Sequence, residues 1–337
     1  TPLGGTVDVT AGAFAVSNTA QRFPDGQIEM QLEGSVRPLA EIADSEPIRA
    51  MERRSIDPAT LFGKARANVS IKLPLRPGVT PAEVDWRVAL TTTGFASSAP
   101  IEGKLIQNGA LAMTATPAEV AIHGKATING VPAAIDVSQP LGDTDGDGQA
   151  EAGRRKVTLS LDEKARKALG IGLDNVLGGT VGAIVSDLGD GKGQHYELDL
   201  KQARLVLQAV GWSKGIGVPA KLSFDLRPTG NGFVVDNMVA TGDGFGFRGK
   251  AVLDAKYGLV SAELDKLALR KGDQISVNLS RKGNGYSIVA RGSSFDVRGL
   301  IAQYKASATG PNEAAADISV DAKVATLIGF NQATLSD

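Results

Sequence analysis

Hydrophobic and polar residues alternate along most of this chain with a period of two. The run from Ala67 to Leu75 is a clear example, with apolar side chains at every second position. Because successive side chains on a β-strand point to opposite faces, each such run has one apolar face and one wet face. Antiparallel sheets give this pattern, whereas strands buried on both faces are apolar throughout. The alternation therefore predicts antiparallel strands.

Turn signals separate the alternating runs at short intervals. Asn-Gly pairs stand at Asn108-Gly109, Asn129-Gly130 and Asn231-Gly232. Both residues tolerate a positive φ, so this pair between alternating runs is a strong hairpin signal. After Val210 the strands recur roughly every 8–12 residues, the spacing of an all-β array. We predict a mainly β fold: an extended antiparallel, curved or groove-like sheet array with one or two short helices.

One helix is clearly encoded, over residues 162–169. Its acidic side chains come first, its basic side chains follow, and Gly170 stands where a left-handed cap is needed. A shorter helix is predicted around Ile48 to Arg54. The segment from Lys305 to Ala316 is small and polar, and it is predicted to be a loop.

Spacing and composition divide the chain into three expected parts. These are a first β-rich segment over residues 1–155, a strand–helix–strand connection over 156–210, and a second β-meander over 211–337. Residues 331–337 form no closing turn or tail, so we expect neighbouring segments of a longer chain to continue the array.

Composition excludes several functional classes. The 36 basic and 37 acidic residues give a net charge of −1, which lacks the basic footprint of a nucleic-acid binder. The same balance lacks the Lys/Arg excess of a helix that lies on anionic lipid. With no cysteine the chain forms neither disulfides nor thiolate metal sites. Its apolar runs are shorter than the roughly 18 residues that a membrane-spanning helix requires.

An acidic run between two predicted strands resembles the start of a calcium loop. Asp143, Asp145 and Asp147 occupy its first, third and fifth positions, and Glu151 occupies the ninth. Closely spaced carboxylates of this kind are ligands for a hard cation. Position twelve is Arg154 where a bidentate Glu is required, and no helix pair flanks the loop. We favour a solvated acidic turn, with a structural calcium ion as the alternative.

Catalytic constellations are not evident in the sequence. His123 lies in a strand pattern and His195 beside a turn, and neither has the sequence context of a nucleophile or a zinc site. The Gly-rich stretch around Gly178-Gly179 does not open a helix after a strand, so it is interpreted as turns and not as a phosphate loop. Trp212 is expected to anchor a corner. We therefore expect a protein without enzymatic activity and without a cofactor.

Several segments of the chain have a familiar pattern of strands and turns. These are Gly130–Ala133, Arg154–Leu161, the helix ending at Leu169-Gly170, Glu197–Leu207, Gly211–Lys214, Pro219-Ala220 and Phe295–Leu300. Together they resemble the AsmA-like superfamily and, within it, the large YhdP-type envelope proteins. The likeness runs from about Gln27 to the end, is strongest from Lys156 to Leu300 and includes no catalytic signature.

The resemblance implies a repeating β-groove that carries phospholipid across the periplasm towards the outer membrane. Such proteins are anchored in the inner membrane, and the anchor would belong to the parent protein. The implied partners are phospholipid acyl chains, other segments of the same longer chain and envelope proteins. The apolar stripes would form the floor of the groove, and the candidate residues are Val69, Ile71, Leu73, Val84, Trp86, Val88, Leu222, Phe224, Leu226, Ile275, Val277, Leu279 and Ile288.

The same alternation also suits a structural β-sandwich scaffold of the cell envelope without lipid cargo. A one-sided apolar sheet must cover that face, either with a second sheet or with a ligand. The two hypotheses differ only in whether the apolar faces meet each other, which alternation alone does not decide.

Overall fold

The computed structural model describes residues 5–45, 51–52, 55–141, 153–171, 173, 175–283, 285–307, 318–329 and 334–336. The chain divides into two compact units, unit 1 over Thr1–Leu159 and unit 2 over Ser160–Asp337. Each unit contains a long and largely antiparallel sheet, so the predicted mainly β fold is confirmed. The described residues form three short α-helices, where one or two short helices were predicted.

Unit 1 is a meander in which each strand pairs antiparallel with the next one along the chain. Short 3-10 helices at Pro58–Thr60 and Pro81–Glu83 precede its third and fourth strands. The strands are β1 (Val7–Ser17), β2 (Asp25–Ser35), β3 (Leu61–Pro74), β4 (Asp85–Ser97), β5 (Ile106–Ala115), β6 (Glu119–Ile128), β7 (Val131–Pro140) and β8 (Arg154–Leu161), whose last residues cross the division.

The Asn-Gly signals have different outcomes. Asn129-Gly130 forms the predicted two-residue turn between β6 and β7, with φ of 49° and 82°. The hairpin predicted at Asn108-Gly109 is wrong, because Asn108 adopts its positive φ inside β5, where the register shifts in a β-bulge. Asn231-Gly232 is one residue out of place, since Gly232 already pairs with Thr229 across the turn.

Helix α1 (Val36–Ala43) follows β2 directly and provides the most tightly packed part of unit 1. Its buried face packs on the first residues of β3, where Leu61 and Ala65 join Val36 and Ala40 in one hydrophobic cluster. The Asp44 carboxylate then accepts hydrogen bonds from the backbone N–H groups of Met51 and Glu52. The helix predicted around Ile48 to Arg54 falls almost entirely outside the described residues.

Unit 2 contains a long sheet and a small three-stranded one. The small sheet has the strand order β9–β12–β13, and the remaining strands form the long sheet. The strands of the unit are β9 (Leu177–Gly179), β10 (Val181–Asp187), β11 (Gln194–Asp199), β12 (Ala203–Leu207), β13 (Trp212–Lys214), β14 (Ala220–Thr229), β15 (Gly232–Gly242), β16 (Gly246–Asp254), β17 (Leu259–Leu267), β18 (Gln274–Lys282), β19 (Gly285–Asp296), β20 (Ile318–Ile328) and β21 (Thr334–Ser336).

Two helices belong to unit 2. Helix α2 (Glu163–Ala168) confirms the predicted helix, because the Asp162 carboxylate caps the Ala165 N–H at 2.7 Å and Gly170 has a φ of +73°. A short 3-10 helix lies at Gln208–Val210. Helix α3 (Arg298–Ser307) overlaps the start of the loop predicted from Lys305, so that prediction is wrong for its first three residues.

One pair of strands departs from the antiparallel pattern. Strands β19 and β20 are parallel and are joined by the segment that contains α3. A parallel pair requires a crossover instead of a hairpin, and the helix supplies the start of that connection.

Candidate functional site

The apolar side chains of unit 1 form continuous rows across its strands. Directly paired residues of antiparallel strands lie on the same face, so the register defines an apolar face of the sheet. One row, with a member on each strand from β1 to β7, is Val9, Leu32, Ala67, Leu90, Met113, Ile122 and Val137. A second row is Met30, Val69, Val88, Ala115 and Val120, and a third is Phe14, Ile28, Ile71 and Trp86.

The opposite face of unit 1 is polar and carries exposed ion pairs. Arg66 Nε lies 2.8 Å from Glu33 Oε1, and His123 Nδ1 lies 3.0 Å from Asp136 Oδ1 on neighbouring strands. The one-sided distribution predicted from the alternation is therefore confirmed for this unit.

The predicted stripe residues of unit 1 share the apolar face but are not buried. Val69, Ile71 and Leu73 on β3 are half-buried, as are Trp86 and Val88 on β4. The apolar residues of the edge strand β1 are more accessible still, with Phe14 62% exposed. The described strands of unit 1 all belong to one meander, and the face keeps accessible surface that a closed core would remove.

Val84 is the one unit 1 candidate that lies outside a strand. Strand β4 begins at Asp85, so the alternating pattern extended the strand one residue too far. Val84 is half-buried between the 3-10 helix, which ends at Glu83, and the start of β4.

Unit 2 carries equivalent rows over a wider set of strands. The longest has one member on each strand from β14 to β20, namely Leu226, Val235, Ala251, Ala262, Leu279, Ile288 and Val320. A second row is Gly249, Leu264, Val277, Ala290 and Ala322, and a third is Ala183, Leu198, Leu222, Ala240 and Phe247. The structure therefore brings the predicted stripe residues of this unit onto one apolar face.

Exposure on the unit 2 face follows the same rule as in unit 1. Leu222, Leu279 and Ile288 are half-buried, and Val320 on β20 is 63% exposed. Four residues of this face are buried, with 7–8% exposure: Val235, Ala240, Ala251 and the stripe residue Ile275.

Phe224 is held by an aromatic stack. It pairs with Tyr196 on β11, and the two rings lie 4.9 Å apart at an interplanar angle of 8°. Phe224 is half-buried, and burial raises the pKa of the Tyr196 phenol. The stack adds a rigid aromatic patch to the apolar face.

Two buried cations that were not predicted from the sequence hold the segments around the small sheet of unit 2 together. Lys214, 3% exposed, donates from Nζ to the carbonyl oxygens of Leu200, Ala203 and Gly215. Arg166 on α2, 1% exposed, donates to the carbonyls of Leu161, Leu177 and Gly179. Burial lowers the pKa of Lys214. Because backbone carbonyls leave no signature in a sequence, nothing in the residue pattern identifies these contacts.

The predicted aromatic anchor is present at this corner. The Trp212 ring meets the Phe245 ring edge to face, with centroids 5.0 Å apart. Beside it lies a pocket of about 370 Å³.

The polar face of unit 1 also carries a depression, of about 330 Å³. Ala11, Ala13 and Ser70 leave room there, and Glu29 and Arg87 provide its charges. Met30 and the stripe residue Val69 also line the depression, between these residues on β2 and β3.

His195 on β11 makes a hydrogen-bonded group with Asp225. Its Nδ1 lies 2.6 Å from Asp225 Oδ1, and Asn237 Nδ2 donates to Asp225 Oδ2. Burial raises the pKa of Asp225, but hydrogen bonds from His195 and Asn237 outweigh it and hold that pKa below its usual value. Ser186 neighbours His195 across the strands, yet His195 Nε2 is 3.8 Å from Glu197 Oε1 and the hydroxyl makes no hydrogen bond to the ring among the described residues.

The candidate calcium ligands Asp143, Asp145, Asp147 and Glu151 lie outside the described residues. Elsewhere, in the part of the chain that the structure does describe, no three His, Asp or Glu side chains converge in a way that suits a metal ion. The helices in that part are too short or too polar to cross a membrane.

No protein-family profile, curated protein or solved structure matches this chain.

Proposed function

We propose that this chain is a segment of a bridge-like lipid-transfer protein that carries phospholipid acyl chains along the apolar faces of its sheets. The observation that supports it is one row of apolar side chains that crosses seven strands in each unit, in which most members are only half-buried and the members on β1 and β20 are 63% exposed. Such a face needs a cover, and an acyl chain supplies one without a second protein layer.

The free energy of burying an acyl chain on such a face is sufficient to hold a lipid there. Moving an acyl chain of about 16 carbons from water onto an apolar surface is worth on the order of 10 kcal/mol, at about 0.8 kcal/mol per methylene. A polar headgroup that stays in water at the rim needs no dedicated site for the lipid to be held. The proposal therefore does not require a catalytic or cofactor site.

The setting proposed for this function is the periplasm, as part of a protein anchored in the inner membrane. The edge strands support a longer assembly. Strands β1 and β20 carry strongly exposed apolar side chains, Val9 and Val320 among them, and β21 covers only the end of β20. Among the described residues these edges have no further strand beside them, and edges of this kind accept strands that other segments of the same chain or an envelope protein would supply.

A structural scaffold without lipid cargo is the second candidate. A sandwich of two sheets would bury the inner faces as a dry core. The half-exposure of Ile71, Val88 and Leu279 favours the lipid-carrying function over this alternative.

Charge substitutions on the two faces test the proposal. Ile71→Asp in unit 1 and Val277→Asp in unit 2 should abolish phospholipid loading, because a carboxylate on the face repels the acyl chain. The matched controls Lys72→Asp and Asn278→Asp change exposed residues of the opposite face and should load normally. Loading is measured by lipid extraction of the purified variants, with circular dichroism to confirm folding. Equal losses from both faces, or no lipid in the wild type, would contradict the proposal.

A further inference from the structure

The pocket beside Trp212 lies at one end of the unit 2 apolar face. It is bounded by β13, by the turn between β15 and β16, and by the connection between β17 and β18. The aromatic wall continues the apolar face, because the Phe245 ring occupies the space that a side chain on Gly242 would need. Gly242 is paired with Ala220, which is on the same face as Leu222.

Positive charge predominates among the residues that line this pocket. Lys214, Arg270 and Lys271 face it together with one carboxylate, that of Asp243. Lys214 already donates to three carbonyls. Lys271 is exposed, and within the described ranges its ammonium group has no hydrogen bond or ion pair. The Lys271 ammonium is thus the cation of the pocket that remains free for a ligand.

The loop that holds these cations is fixed in place. The buried Asp273 carboxylate accepts hydrogen bonds from the backbone N–H groups of Leu269 at 3.1 Å, Arg270 at 2.8 Å and Asp296 at 2.8 Å. The Arg270 guanidinium donates to the carbonyl oxygens of Gly211 and Asp296, and it lies 3.9 Å from the Asp296 carboxylate, which offsets part of its charge. Because the loop is ordered before a ligand arrives, binding costs little additional conformational entropy.

We propose that this pocket binds the phosphate group of an anionic amphiphile whose acyl chains extend onto the unit 2 apolar face. The inference rests on the proposed function and adds a headgroup preference to it. The Lys271 ammonium contacts the phosphate, the Arg270 guanidinium adds positive potential, and the Trp212 and Phe245 rings cover the first carbons of the chains. A zwitterionic headgroup binds less tightly, because its own cation is repelled by the positive charges of Arg270 and Lys271.

Isothermal titration calorimetry of the full chain tests the pocket. Dihexanoyl phosphatidylglycerol should bind the wild type more tightly than dihexanoyl phosphatidylcholine does. Lys271→Gln should weaken phosphatidylglycerol binding roughly threefold to tenfold, since one exposed charge contact is lost, and should weaken phosphatidylcholine binding less, because the choline cation already offsets part of that contact. Lys266→Gln removes an exposed lysine of β17 outside the pocket and should behave as the wild type does.

Three results would overturn the assignment. These are equal affinity for the two headgroups, equal weakening by Lys271→Gln and Lys266→Gln, and inorganic phosphate that binds as tightly as phosphatidylglycerol, which would make the pocket a site for free phosphate. Lipid extraction of the same preparations separates this proposal from the proposed function. Loading that persists without a headgroup preference overturns the pocket alone, whereas an unloaded wild type overturns the lipid-carrying function.

Discussion

The apolar faces of the two units are alike across their strands and differ at one end. In unit 1, α1 covers one end with a buried hydrophobic cluster around Leu61 and Ala65. In unit 2, one end meets Trp212, Phe245 and a cationic loop, which leave a pocket of about 370 Å³. The contrast teaches that close packing is local in this protein. Small clusters fix the ends of a face, and most of the larger apolar side chains between them are only half-buried.

Two leucines on the same strand of unit 1 test this contrast with the largest expected effect on stability. Leu61 is 4% exposed under α1, whereas Leu73 is half-buried on the open part of the face. Leu61→Ala should lower the free energy of unfolding by about 3 kcal/mol, because it leaves a cavity in a closed cluster. Leu73→Ala should lower it by about 1 kcal/mol, since much of its surface already meets solvent. Urea unfolding followed by circular dichroism measures both.

Similar costs for the two substitutions would contradict the contrast. They would mean that the face of β3 is packed as closely along its length as it is under α1, as the scaffold alternative requires.

Acid should destabilise unit 2 more than unit 1. Hydrogen bonds from Arg298 lower the pKa of Asp296 despite burial, and the pKa of Asp225 is also lowered. A carboxyl with a folded pKa below its ordinary value of 3.8 stabilises the fold above that pH, and the contribution is lost as the pH falls further. In unit 1 the one lowered carboxyl pKa among the described residues belongs to Glu83, which is exposed.

The chain has two tryptophans, Trp86 in unit 1 and Trp212 in unit 2, so each unit has its own fluorescent probe. The variant Trp212→Phe keeps Trp86 and reports the unfolding of unit 1, whereas Trp86→Phe keeps Trp212 and reports the unfolding of unit 2. The stability of each variant is measured between pH 5 and about pH 2. As the pH falls, the unfolding followed by Trp212 fluorescence should show a loss of stability before the unfolding followed by Trp86 does. Asp225→Asn should reduce the acid dependence of the stability of unit 2. Equal acid sensitivity of the two probes would remove this distinction between the units.

Much of the fold could be predicted from the sequence because alternation and caps are local signals. The period of two located the strands around Ile71, Leu226 and Leu279, and Asp162 with Gly170 marked α2. Helix α1 was not predicted, because Pro38 interrupts its pattern and its stability comes from packing on β3. Alternation indicates a sheet with one wet face and predicts antiparallel strands only through that property, so it wrongly predicted the parallel pair of β19 and β20 as antiparallel. Asn108 shows that the tolerance of asparagine for a positive φ suits both hairpin turns and β-bulges, so an Asn-Gly pair alone does not distinguish them.

The candidate site was predictable only in part, for a related reason. Alternation assigned the stripe residues to one face, but their exposure depends on what lies above that face. The contacts of Lys214, Arg166 and Asp273 are made with backbone groups distant in sequence, and those groups have no residue identity to recognise. The pocket beside Trp212 likewise forms from three separated connections.

Photo-crosslinking detects directly whether the apolar faces hold acyl chains. A benzophenone amino acid is placed at Ile71 or Leu279 on the apolar faces and at Lys72 or Asn278 on the opposite faces, and the irradiated protein is analysed by mass spectrometry. Covalent phospholipid adducts should form at Ile71 and Leu279 and be absent at Lys72 and Asn278. Adducts at all four positions, or at none of them, would contradict the account.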